Sequence, residues 1–343
     1  MKSLLTVLKY TLLLALSGAL MVYAVRGQDL SRIGHYIATA NYFWLGVTMT
    51  LSVLGYLSRA YRWQMQLTAS RHQVPFWEVY HAMMVGYLAN IVLPRMGEVI
   101  RCSVLRRTSG VPVEVSLGTV ITERVIDVLV LGLLLGAVLL LDFDKFWAFI
   151  QGLFADQYDS LAANRGVLLA VAGIGALLLL VFGYLLVRNL EKLRQNALFV
   201  KVVAFVRGLL AGVFSVLRLN NKGVFLLHTF FTWLVYFLMD YLAFLCFPET
   251  YDLGMRAGLA VLTFGAFGMA APVSGGIGVF HVLVQSTLLV YGVSKEAGIA
   301  YALVVHGAQT LLVVVLGGIS FVLSAVHSGK TVNREQLVIN SEQ

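Results

Sequence analysis

Long apolar stretches separated by short polar ones organise the whole chain. Runs at 4–25, 41–58, 117–141, 167–187, 223–247 and 297–326 come to the length, about 20 residues, that a helix needs to cross the hydrocarbon core of a bilayer. No series of ten-residue alternating segments appears, so these runs are read as α-helices rather than barrel strands. Two further apolar stretches are interrupted. Residues 76–108 are broken by "LPRMGE" and residues 256–293 by "APVSGGIGVFH", each with Pro-x-x-Gly at the break, Pro94 to Gly97 and Pro272 to Gly275. Proline and glycine stop a helix and allow a turn, so each stretch is expected to enter the membrane and return to the side it came from.

The order of elements then repeats: helix, helix, broken element, helix. The expected fold is an all-α polytopic membrane protein with six spanning helices plus two re-entrant broken elements in an inverted repeat. The alternative is an eight-helix bundle in which Pro94 merely ends a helix and the glycines merely allow close packing. The expected divisions are residues 1–145 and 146–327 as membrane repeats and 328–343 as a cytoplasmic tail.

Composition agrees with the pattern. Of 343 residues 59% are hydrophobic and 12% charged, with mean hydropathy +0.84, which excludes an ordinary water-exposed surface. The N-terminal run is long and contains Lys9, with no clear small-x-small cleavage site, so it is read as a retained helix and not a signal peptide. Cys102 and Cys246 have no metal-ligand spacing and are expected to be inert thiols.

The formal charge of +8 is scattered beside helix ends, where basic residues report topology and attract anionic lipid rather than nucleic acid. Arg59, Arg62 and Arg71 place 59–72 in the cytoplasm, and with it the N-terminus. The acidic stretch 142–165 is then external and the basic stretch 188–222 cytoplasmic. Only re-entrant breaks keep Arg95, Arg101, Arg106 and Arg107 on the cytoplasmic side and leave both termini there. Residues 188–220 mix basic and apolar positions as a helix in the headgroup layer would.

Charges at membrane depth are costly and usually face an interior or a polar cavity. Three groups stand out: Arg95, Glu98 and Arg101; Glu123, Arg124 and Asp127 in "TERVID"; and Asp240 in "WLVYFLMDYLAF". Glu123 and Asp127, four apart, lie on one helix face and repel unless a cation sits between them. Arg95 or Arg101 from the broken turn is the expected partner, either as a clamp or as a grip on an anionic headgroup, for which the arginine fork is well shaped. At the second break, Gly275, Gly276 and Gly278 permit close backbone approach, the following helix offers its positive end, and His281 stands one turn on. His81 and His306 are read as packing residues. No HExxH, G-x-S-x-G or Walker pattern is present, and no catalytic residue, metal or cofactor is expected.

The segment "NIVLPRMGEVIRCSVLRRTSGVPVEVSLGTVITERVIDVLVL", followed later by "APVSGGIGVFHVLV", resembles the flippase-like membrane domain of lysylphosphatidylglycerol synthases over nearly the whole chain. The family pattern falls on Pro94, Gly97, Glu98, Arg101, Glu123, Arg124 and Asp127, and on Pro272, Gly275, Gly276 and Gly278. Where many members carry a glutamate after the glycine turn this chain has His281, and where many carry an arginine in the last helix it has His306 nearby. The resemblance implies a free-standing member without the soluble synthase domain, hence lipid translocation rather than synthesis.

The expected function is movement of a phospholipid, aminolipid or lipid-linked headgroup between leaflets, in a multi-pass protein of the cell inner membrane. Its partners are then membrane lipids with anionic headgroups, with a homo-oligomer or envelope-synthesis enzymes as further candidates. Two other readings stay open: an intramembrane lipid-modifying enzyme with Glu98 or His281 as base, and a non-transporting envelope-assembly scaffold.

Overall fold

The computed structural model describes residues 2–153, 219 and 221–341, with side chains described over 11–149, 151, 219 and 221–326. The apolar runs fold as helices: α1 (Lys2–Val25), α2 (Leu30–Thr39), α3 (Tyr42–Ala69), α4 (Phe76–Val92), α5 (Gly97–Ser109), α6 (Val113–Leu153), α7 (Lys222–Ala243), α8 (Met255–Ala270), α9 (Val279–Val290) and α10 (Lys295–Ser341). No strand occurs among the described residues. Three helices are long and apolar enough to cross a membrane, α6, α7 and α10, or four if α1 and α2, bent by 92° at their junction, count as one span. The chain is therefore an all-α, polytopic membrane protein. The expected helix 167–187 and headgroup-layer helix 188–220 lie outside the described residues.

Several boundaries move. Asn41 caps the start of the run read as 41–58 by accepting from the Phe43 amide (3.1 Å), and the run continues to Ala69 because the residues past 58 keep a helical stripe turned inward, with Arg59, Arg62 and Gln66 buried. Arg59 and Arg62 are thus not loop charges, which corrects the cytoplasmic loop drawn over 59–72. The stretch read as an external loop from 142 remains helical to Leu153, with a kink at Asp142 (φ −134, ψ 30). Asp142 turns inward there. It accepts from the Tyr291 hydroxyl at 2.9 Å and lies 3.4 Å from Lys145.

Each broken stretch forms a hairpin of two helices. In the first, α4 and α5 lie so close that a methyl group on Gly97 would stand 2.1 Å from the Gly86 carbonyl oxygen, a gap only glycine fits. The Gly97 amide donates to the Asn90 side chain at 2.7 Å, which satisfies a backbone donor exposed by the break. In the second hairpin, α8 and α9 are joined through a single 3-10 turn, Ser274–Gly276, in which Gly275 and Gly276 take positive φ (55° and 77°). Gly268 packs directly on the Phe280 backbone.

Packing of the hairpins is reciprocal: α4 lies on α10 and α5 on α6, while α8 lies on α6 and α9 on α10. The two long helices α3 and α7 run antiparallel beside them, Ser52 meeting Met239, Ser58 meeting Thr232, and Arg62 meeting Thr229. Along α10 the contacts form a ruler. Gly298 faces Gln285 of α9, His306 faces Gly275 of the second tip, Gly317 faces Met84 and Leu88 of α4, and Ser320 bonds His81. At about 1.5 Å per residue, positions 298 to 320 span roughly 33 Å, the thickness of a hydrocarbon core. The hairpins contact opposite ends of that length, and the tip of the second lies beside His306.

Candidate functional site

Glu123 is the centre of the charged cluster and is wholly buried. Arg59 donates to its Oε1 from Nε (3.1 Å) and Nη2, Arg62 Nη2 lies 3.3 Å from the same oxygen, and Arg101 Nη2 donates to Oε2 at 3.1 Å. Asp127, one turn on, accepts from Arg59 Nη2 (3.0 Å) and Arg62 Nη2 (2.8 Å). The two carboxylates on one face of α6 are thus bridged by cations, as their spacing requires, and α3 supplies most of the positive charge. Arg124 turns the other way, to Glu98 at 3.0 Å, with Asp127 at 3.9 Å.

The expected partnership is confirmed for Arg101 and corrected for Arg95. Arg101 is 2% exposed, with its guanidinium 4.7 Å from the Trp63 ring, and Trp63 in turn donates to Thr119 at 2.9 Å. Arg95 is exposed and takes left-handed backbone (φ 65°), so its side chain points across to the second hairpin and Nη2 donates to the Ala270 carbonyl. It never reaches α6, because the tight Gly86–Gly97 contact carries α5 back along α4 and leaves residue 95 at the outermost point of the turn.

Arg59 and Arg62 are the residues that sequence reasoning missed. The signal was present: Ser52, Gly55, Ser58, Arg59, Arg62 and Gln66 recur at helical spacing through what hydropathy treats as a helix end. Four guanidiniums face three carboxylates, so the cluster keeps one positive charge. It also holds buried polar atoms with no partner among the described residues, Arg101 Nε and Nη1, Arg62 Nε and Glu98 Oε2.

Asp240 does not join the cluster. Its carboxylate makes no ion pair among the described residues, while its backbone carbonyl accepts from the Tyr301 hydroxyl at 2.8 Å. One turn before it, the Tyr236 hydroxyl accepts from Arg59 Nη1 at 3.2 Å, so α7 touches the cluster through a phenol and not through an acid.

At the second tip, Gly275, Gly276 and Gly278 come together with both histidines. His306 Nε2 donates to the Gly275 carbonyl (2.9 Å), which fixes the proton on that nitrogen. His281 Nδ1 accepts from the Gly278 amide (3.3 Å), and the two imidazoles stand 4.9 Å apart. His306 is therefore more than a packing residue, since it ties the last helix to the glycine turn. Ser274 is 2% exposed and its hydroxyl has no partner among the described residues. Among the described residues no group of three or more metal-binding side chains occurs, and Cys102 and Cys246 are buried free thiols.

The tips themselves are in contact. A methyl group on Gly275 would stand 3.8 Å from the Ile91 Cα, and Arg95 bonds Ala270 across the junction. One junction thus gathers an exposed guanidinium, a hydroxyl without a partner among the described residues and three glycines of positive φ.

No curated protein and no solved structure matches the chain. A family model described as the lysylphosphatidylglycerol synthase TM region matches residues 10–317. With nearly the whole chain covered, and with the "LPRMGE", "TERVID" and "APVSGGIG" segments brought into one assembly of helices, the protein belongs to the lysylphosphatidylglycerol synthase transmembrane-region family.

Proposed function

We propose that this protein moves phospholipid headgroups between membrane leaflets through the junction of its two hairpin tips, in the cell inner membrane with both termini cytoplasmic. The observation that carries the reading is Arg95, an exposed arginine bonded to Ala270 of the second tip, which His306 ties to α10 within the stretch that matches a hydrocarbon core, about 12 Å from one end of it. A guanidinium at that depth costs several kcal/mol against bare hydrocarbon, about 2.5–3.5 on insertion scales, so its open side calls for water or an anion. A phosphate answers the fork geometry of arginine, and the Ser274 hydroxyl and the start of α9 add donors on the facing tip.

Re-entrant hairpins in an inverted repeat are part of the same proposal. The reciprocal packing of α4, α5, α8 and α9 on α6 and α10 and the antiparallel pairing of α3 with α7 support it. Facing broken elements at mid-depth are a recurring plan of membrane transporters, and irregular backbone there is tolerated only beside protein or a polar cavity. In this reading Arg59, Arg62, Arg101, Glu123 and Asp127 hold the first hairpin in place, Glu98 and Arg124 flank them, and Arg95 with Gly275, Gly276 and Gly278 meets the headgroup.

The test is lipid translocation in liposomes holding the purified protein and a headgroup-labelled anionic phospholipid. Asparagine tolerates left-handed backbone, so Arg95→Asn removes the guanidinium with the turn intact and should lower the rate about tenfold or more, the loss of one charge-assisted bond. Wild-type liposomes no faster than protein-free ones, or a variant at the wild-type rate, would overturn the reading.

A further inference from the structure

A polar pocket of another kind lies toward the start of α10, away from the hairpin tips. A concavity of about 520 Å³ opens between α2, which contributes Ser31, Arg32, His35 and Tyr36, and the 3-10 turn Pro248–Thr250, which contributes Glu249. Its two walls carry opposite charge. Among the described residues, neither the Arg32 guanidinium nor the Glu249 carboxylate is held by an ion pair.

Both walls are fixed by their own local bonds. Asp29 caps α2 by accepting from the Ser31 and Arg32 amides (2.8 and 3.2 Å), and the Tyr42 hydroxyl donates to the Ile37 carbonyl at 2.8 Å. Ile33 and Ala40 are buried in one apolar core with Ala297, Ala300 and Tyr301 of α10, which leaves Ser31, Arg32 and His35 exposed on the other face. Arg32 and His35, three residues apart, are neighbours on that face. Across the pocket, the Thr250 hydroxyl donates to the Phe244 and Phe247 carbonyls (2.6 and 3.1 Å), and the Asn41 amide donates to the Cys246 carbonyl at 2.8 Å, so Glu249 is presented from a pinned turn. The level is that of a membrane interface. The shared core places α2 at the end of the roughly 33 Å ruler that Gly298 marks, and α2 crosses α1 at 92°, as a helix in the headgroup layer does. Leu30, Phe43 and Tyr251, next to the pocket along the chain, are exposed apolar and aromatic side chains of the sort that favour this layer.

A simple anion drawn to Arg32 would meet the charge of Glu249, and a simple cation the reverse, whereas a ligand that carries both charges satisfies both walls. From this arrangement we infer that the pocket binds the zwitterionic headgroup of an ethanolamine-type phospholipid. The phosphate lies on Arg32, with His35 and Ser31 as further donors, and the ammonium on Glu249. Arginine suits the phosphate because its fork donates two parallel hydrogen bonds. A glycerol headgroup lacks the cation and leaves Glu249 facing a phosphate. The site is separate from the tip junction, and its occupancy does not depend on translocation.

The experiment uses the full chain in nanodiscs of mixed phosphatidylethanolamine and phosphatidylglycerol with matched acyl chains, followed by native mass spectrometry of retained lipid. Wild type should retain the ethanolamine lipid preferentially. Both charges are exposed, so Arg32→Gln and Glu249→Gln should each lower that retention about fivefold, the upper range for an exposed pair, and together roughly twentyfold. The two variants should also differ in kind. Arg32→Gln weakens both lipids alike and keeps the preference, whereas Glu249→Gln erases the preference and spares the glycerol lipid, a split that a merely structural role would not give. Equal retention of the two lipids by wild type, or an unchanged preference in Glu249→Gln, would overturn the site. Glycerophosphoethanolamine, the same headgroup without tails, should fail to displace the lipid at millimolar concentration; displacement would place the ligand in solution and overturn the lipid assignment. A photo-crosslinker at position 31 should label the ethanolamine lipid, and labelling of another segment of the same chain instead would show the pocket to be filled internally and equally sink the inference. Translocation of the anionic lipid, read in separate liposomes, stays at the wild-type rate in these variants, so failure of one reading leaves the other testable.

Discussion

The first hairpin is fastened through its returning arm by a buried charge, Arg101 to Glu123, whereas the second is fastened at its turn by imidazoles, His306 to the Gly275 carbonyl and His281 to the Gly278 amide. Both hairpins rely on glycine for close approach and both lie on α6 and α10. What differs is how a break in the helix is compensated. Around α5 the cost is met by an ion cluster shared among three further elements, α3, α6 and, through Tyr236, α7. At the second turn it is met by neutral groups on only two helices. A cluster of mutually dependent charges fails as a unit, since each partner removed strands the others in a low-dielectric interior. A hydrogen bond from one ring to one carbonyl fails alone.

The largest expected effect therefore comes from Glu123→Ala. It leaves three buried guanidiniums without their shared acceptor and should cost about 3–5 kcal/mol, seen as a collapse in folded yield and in the melting temperature of the purified protein. A melting temperature unchanged from wild type would break the distinction, for the first hairpin would then be held by packing alone. His306→Ala is expected to cost about 1 kcal/mol, one neutral hydrogen bond, and to leave the first hairpin protected in hydrogen exchange. Loosening of both hairpins together would mean that the tips, and not their separate fastenings, carry the stability.

Asp240→Asn gives the smallest change and the sharpest contrast with Glu123. Both are acids in apolar helices, yet Asp240 has no ion-pair partner among the described residues. Replacing it breaks no ion pair among the described residues, so stability should not fall by more than about 0.5 kcal/mol and is expected to hold or rise, an unpaired acid in an apolar helix being itself costly. A loss on the scale of Glu123→Ala, measured by the same thermal unfolding, would show that Asp240 belongs to a network after all.

Much of this arrangement is readable in one dimension. The apolar runs announce helices because a membrane demands about 20 apolar residues per crossing, and the two Pro-x-x-Gly breaks announce turns because those residues stop helices locally. The mutual repulsion of Glu123 and Asp127 at one-turn spacing demands a cation, and Arg101 supplies part of it. Arg95, equally close in the chain, does not, since the direction of a side chain at a tight turn depends on backbone handedness that composition does not reveal.

The cases of Arg59 and Arg62 show where the boundary falls. As sequence they look like charges after a spanning segment; in the fold they are the inner stripe of a longer helix, stable there only because α6 presents Glu123 and Asp127 more than sixty residues later. Local hydropathy, turn chemistry and helical spacing are enough to establish the all-helical membrane character, the two broken hairpins and the need for a cation beside "TERVID". Which arginines answer that need, where the hairpin tips meet and why Arg95 stays at the surface emerge from the packed helices alone, because pairing among distant charges is set by how helices pack and no local pattern encodes it.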